Sequence, residues 1–81
     1  MKCFVYRSDR KQNTYLYLPR ADDFSDVPDA LMQVFGRPET ALNFELTNDV
    51  TLACEDPKQV LSNIKEQGFH LQMPPANKWT I

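Results

Sequence analysis

The sequence predicts an α+β domain, and three observations carry that reading. Short apolar runs of period two recur along the chain and mark strands. Two stretches of helical period are bounded by capping residues. The chain has two glycines, Gly36 and Gly68, and each sits where one of those helices should stop. Read in order, the elements run β-β-α-β-β-α-β, in which removal of the first strand leaves the split βαβ pattern. The economical arrangement is a two-layer sandwich, a mostly antiparallel sheet with both helices on one face, because each later strand shows a single apolar side.

Residues 2–7 and 14–18 are rich in Val, Tyr, Phe and Thr, and the polar run 8–13 between them makes a hairpin. Pro19 ends the second strand because it has no N–H to give the ladder. A helix is expected over 27–35, with Ser25 or Asp26 as cap and Pro28 in the first turn. Its apolar stripe is Val27, Leu31, Val34 and Phe35, and Pro38 prevents its continuation. Leu42, Phe44 and Leu46 then alternate with Asn43 and Glu45 in a strand with one wet face. Thr47-Asn48-Asp49 is turn chemistry, and Val50, Leu52 and Cys54 alternate with Thr51 and Ala53 in a further short strand. The second helix is capped by Asp56, takes Pro57 at its first position, and offers Gln59 for a capping box. Val60, Leu61 and Ile64 form its buried stripe. The last strand directs Phe69, Leu71 and Met73 inward, His70 and Gln72 outward, and stops at Pro74-Pro75.

At 81 residues this is one thin core rather than a deep cavity with a lid. No apolar run approaches the ~18 residues of a membrane span, and no secretory leader is visible. Two cysteines without such a leader read as reduced thiols of a bacterial, cytoplasmic protein. The net charge of −2 hides an asymmetry: residues 1–20 hold five basic side chains against one acidic, and the remainder four against ten. A basic hairpin on an acidic body attracts a polyanion locally.

Pairing the hairpin in its tightest register sets Arg7 opposite Thr14, Tyr6 opposite Tyr15 and Phe4 opposite Tyr17. Cys3, Val5, Leu16 and Leu18 then face the helices, and the rings share an open face with Asn43, Glu45, His70 and Gln72. The candidate binding face is therefore Tyr6, Tyr15 and Tyr17 with Arg7, Arg10, Lys11 and His70. Such a face suits a protein partner, with stacking on single-stranded nucleic acid as the alternative.

Nothing in the chain assembles a reaction centre. His70 has no neighbour in sequence to orient it as a base. Cys3, Cys54 and His70 show no metal-ligand spacing. Cys3 reads as a core residue, and Cys54 has Glu55 and Asp56 opposing a thiolate. Asp22-Asp23 reads as turn and capping chemistry. No catalytic residue, metal or cofactor is expected.

Several segments together carry a resemblance: Tyr6-Arg7-Ser8, Thr14-Tyr15-Leu16-Tyr17-Leu18, Asp22-Asp23-Phe24, Val27-Pro28, Leu31-Met32, Phe35-Gly36-Arg37-Pro38 and Gly68-Phe69-His70-Leu71-Gln72-Met73-Pro74-Pro75. As a set they resemble the bacterial YcgL domain family over residues 1–75, leaving 76–81 as a tail that carries Trp79. The resemblance implies a compact α+β fold and carries over no activity and no catalytic residue. Family genes near a ribonuclease D-type exonuclease point toward RNA metabolism. Family members often extend past the double proline with a Leu-containing segment, which this tail does not match. The expected function is a non-enzymatic cytosolic interaction module with a protein partner, the alternative an accessory protein binding RNA or single-stranded nucleic acid.

Overall fold

A computed structural model of the chain describes residues 1–50, 52 and 56–73. Six elements follow in order: β1 (Lys2–Ser8), β2 (Tyr15–Leu18), α1 (Asp29–Phe35), β3 (Pro38–Glu45), α2 (Pro57–Gln67) and β4 (His70–Gln72). The four strands form one sheet in the order β3-β1-β2-β4, and every neighbouring pair is antiparallel. The α+β class and the antiparallel sheet with two helices are as the sequence predicts. Of the further strand expected at 50–54, Val50 and Leu52 pack against the core, while Thr51, Ala53 and Cys54 lie outside the described residues. The tail 76–81 with Trp79 lies outside them too.

The hairpin register differs from expectation by one residue. Arg7 pairs with Tyr15, Tyr6 with Leu16, Val5 with Tyr17 and Phe4 with Leu18. The cause is Ser8, read as loop but in fact the last residue of β1. Its N–H donates to Thr14 O at 3.0 Å. Its buried hydroxyl donates to Phe35 O and accepts from the N–H groups of Arg10 (3.1 Å) and Lys11 (2.9 Å). A one-residue slip exchanges the faces of one strand relative to the other.

Each face of the central strand pair is consequently apolar. Cys3, Val5, Tyr15 and Tyr17 share one face with Val60, Leu61 and Ile64 of α2. Phe4, Tyr6, Leu16 and Leu18 share the other with Leu31, Met32 and Phe35 of α1. The helices thus lie on opposite faces, and the expected two-layer sandwich is a three-layer one. Two apolar faces cannot both be kept from water by helices on one side.

The second helix begins and ends as its sequence directs. Asp56 Oδ1 accepts the Lys58 N–H at 3.0 Å, and Gly68 closes the helix in the left-handed conformation. Gln59 bonds Asn63 one turn later and makes no capping box. The first helix is shorter than expected. Ser25 gives its N–H and hydroxyl to Asp23, so it does not cap, and the helix starts after Pro28 without a side-chain cap. Val27 stays in the preceding turn, buried against Phe35 and Leu16.

Gly36 ends the first helix at φ 82°, ψ −146°, a region open essentially to glycine alone. A Cβ there would meet Asp9 Oδ1 and stand 2.6 Å from Arg10 Cγ. Gly36→Ala is expected to destabilise the fold by about 1–3 kcal/mol, measured by urea unfolding; an unchanged midpoint would show that this corner is not held as described.

Candidate functional site

The structure separates the seven residues of the expected binding face. Tyr6, 4% exposed, lies on the α1 face. Its hydroxyl accepts the Asp22 N–H at 2.6 Å, and its ring meets Phe24 edge-on at 4.9 Å. Burial, first among the causes, raises its pKa. Tyr17, 6% exposed, lies on the opposite face, with its hydroxyl donated to Gln72 Oε1. His70 is not outward but buried. Asn63 of α2 brings Nδ2 within 2.9 Å of its Nδ1, and the ring stands edge-on to Tyr17 at 5.4 Å. The expectation failed because α2 lies across β2 and β4 and covers the side of β4 that the alternation marked as wet. Tyr15 is half-buried, and Arg7, Arg10 and Lys11 are exposed. Met73, expected inward, is also exposed.

Two of the seven, Arg7 and Tyr15, do meet at one accessible place, with Tyr17 beneath them. Because α2 covers β2 and β4, the β3 side of the same face is left open as a groove of about 610 Å³. Val5, Tyr15 and Tyr17 form its floor, and Leu42 and Phe44 of β3 form one wall. Val50 and Leu52 also line it, and Arg7 and Gln72 bring polar groups to its rim. Leu42, which the alternation directs into the core, is 51% exposed here. The strand pairing places a bulge beside it: Val5 pairs with Leu42 and Tyr6 with Thr40, leaving Ala41 as the extra residue. Arg7 is aimed along β3 by Glu39, whose Oε1 accepts from Nη2 at 3.0 Å and Nε at 3.3 Å. Both partners are exposed, so the pair orients the guanidinium and adds little stability.

The groove walls were visible in the sequence as apolar residues, but the alternation assigned them to a core under helices. The missed signal is in β1 and β2, where Cys3 to Tyr6 and Tyr15 to Leu18 are apolar without interruption. Such runs mark strands covered on both faces.

The groove offers surface and little chemistry. Among the described residues, no three His, Cys, Asp or Glu side chains could hold a metal ion together. Asp22 and Asp23 are engaged separately: Asp22 with Tyr6, and Asp23 with Ser25 and Arg20. The Ser25 hydroxyl, followed by Arg20, holds the Asp23 carboxyl down to about 2. The Cys3 thiol is fully buried, and burial pushes it up to about 11, against a smaller lowering by the N-terminal ammonium. Cys54 lies outside the described residues. No described helix is long and apolar enough to cross a membrane.

These features define a small three-layer α+β domain with an open apolar groove beside an edge strand. The chain belongs to the YcgL domain family, whose family model matches residues 3–75. It is similar to a YcgL domain-containing protein of Thioalkalivibrio sulfidiphilus, 58% identical over 78 residues, 96% of each chain. Its counterpart in Vibrio campbellii is 48% identical over 75 residues, 93% of this chain and 80% of that one. That of Stutzerimonas stutzeri is 47% identical over 74 residues, 91% and 76%. These names record a domain and state no activity.

The Cys3 shift has a pH signature. A thiol whose folded pKa is raised ionises first in the unfolded chain, so its contribution is complete below about 9 and is lost as the pH climbs from 9 towards 11. Stability should fall across that window, and fall less in Cys3→Ala. Native Cys3 should also resist iodoacetamide at pH 8 until urea unfolds the chain. Alkylation of Cys3 in native protein as fast as in urea would contradict this account.

Proposed function

We propose that this protein is a non-enzymatic interaction module of the bacterial cytoplasm whose groove receives an extended segment of a partner protein. The observation that carries the reading is the apolar surface between Tyr15 and Leu42 that no described residue covers. An open trough with apolar floor and walls suits large side chains from a continuous segment. The half-exposed Leu42 and half-buried Tyr15 would supply most of the contact. The polar rim of Arg7 and Gln72 would meet the segment's backbone. Stacking of nucleic acid bases draws less support, because such a platform needs several exposed rings on one face. Here Tyr6 and Tyr17 are buried on opposite faces.

A display library of random twelve-residue peptides panned on the protein should return segments with at least two large apolar side chains. Leu42→Glu should weaken their binding at least tenfold, and Tyr15→Ala several-fold, with both variants still folded by circular dichroism. If nothing is selected, or if both substitutions leave binding intact, the groove is not the working surface.

A further inference from the structure

The strongest feature outside the groove is a cluster of cations at the adjoining end of the sheet. Arg10 and Lys11 sit in the β1–β2 loop, while Arg37 precedes β3, far away in sequence. Three contacts fasten these segments together. Asp9 Oδ1 accepts the Arg37 N–H at 2.8 Å. The Ser8 hydroxyl takes the N–H groups of Arg10 and Lys11 and gives its own proton to Phe35 O. The stem of Arg10 lies over Gly36, close enough that a Cβ there would be 2.6 Å from Arg10 Cγ and 2.8 Å from Cδ.

The fold therefore gathers Arg10, Lys11 and Arg37 about the single carboxylate of Asp9, a local excess of positive charge on a chain whose net charge is −2. Among the described residues, neither Arg10 nor Arg37 is in an ion pair, and both are exposed. Clustered cations of this kind repel one another, and they lower the energy of an anion that comes to rest among them. Arginine is the cation best suited to carboxylates, since its planar fork meets both oxygens.

Arg7 links the groove to this end of the sheet. Arg7 lines the groove and is held by Glu39, and Arg37 stands two residues ahead of Glu39, about 7 Å along an extended chain. A segment lying on the groove and leaving past Arg7 would reach the end of the sheet that carries Arg10 and Arg37. We infer that the partner segment is acidic where it leaves the groove, its apolar side chains seated between Tyr15 and Leu42 and its carboxylates on the cations at the hairpin end. This rests on the groove reading and adds the chemistry of the flank.

The test uses fluorescein-labelled peptides with one core, Leu-Ser-Phe-Ser-Leu, flanked on both sides by four Glu, four Ser or four Lys, followed by anisotropy with the full chain. At 50 mM salt the Glu-flanked peptide should bind at least tenfold tighter than the Lys-flanked one. That preference should shrink below threefold at 500 mM salt, and likewise in an Arg10→Gln, Arg37→Gln double variant that unfolds at the wild-type urea midpoint. Equal binding of all three peptides, no binding by any of them, or a preference that survives in the double variant overturns the proposal. So does tighter binding of a twelve-nucleotide oligouridylate, which would assign the cations to nucleic acid. If Leu42→Glu leaves binding unchanged while the flank preference persists, the groove reading fails and the cationic site stands.

Discussion

Ser8 places one oxygen where three parts of the chain meet. A hydroxyl has one proton to give and two lone pairs to offer, and here all three are used: one bond to the end of α1 and two to the hairpin loop. The site is buried, so losing any of these bonds would leave a polar group without solvent to replace it. The same residue's N–H, bonded to Thr14 O, extends β1 by one position and fixes its pairing with β2. That single position decides which side chains look which way. With Tyr6 opposite Leu16, one face carries Tyr6 and the other Tyr17, and both faces require cover. The alternative register would have gathered the aliphatic residues on one side and left the rings in water. A small chain gains more by burying both.

Three layers from so short a chain leave little material for each. The seven residues of α1 rely on the 24–27 turn, where Phe24 and Val27 complete the cover over Tyr6 and Leu16. Tyr6 is fastened to that turn through the Asp22 N–H, with Asp22 in a left-handed conformation at φ 56°. On the other face α2 spans about 16 Å and lies over β2 and β4, with Asn63 against His70. Among the described residues, what it leaves exposed is the β3 side around Leu42. The groove is thus a consequence of one helix serving a four-stranded sheet from one end of the strand order.

The parts of this fold legible in the sequence are those written in local chemistry. Asp56, Pro57 and Gly68 bound α2 because each acts on its own few residues. That the first two strands form a hairpin and that a strand runs through residues 42–45 were legible for the same reason. What was not legible depended on a contact across 27 positions, from Ser8 to Phe35, which no local pattern encodes. From that one register the burial of Tyr6, Tyr17 and His70 follows, and with it the dispersal of the expected binding face. Arg7 and Tyr15 kept their place at an accessible surface because they lie at the hairpin end of their strands, beyond the reach of α2. Arg37 comes beside the hairpin loop only through the Asp9 contact across 28 positions, which no local pattern encodes.

An open apolar trough beside an edge strand invites another copy of the chain to pair there, and the edge carries features that oppose this. Ala41 bulges from β3 and breaks the even spacing a partner strand would need. Pro38 at its start has no N–H to offer, and the Arg7–Glu39 pair sets charge on that end of the strand. Leu42 meanwhile remains half in water, when burial of a leucine would stabilise the chain by roughly 1.5–3 kcal/mol if complete. An exposed apolar wall combined with an edge protected against pairing is what the proposed docking of another molecule's side chains would require.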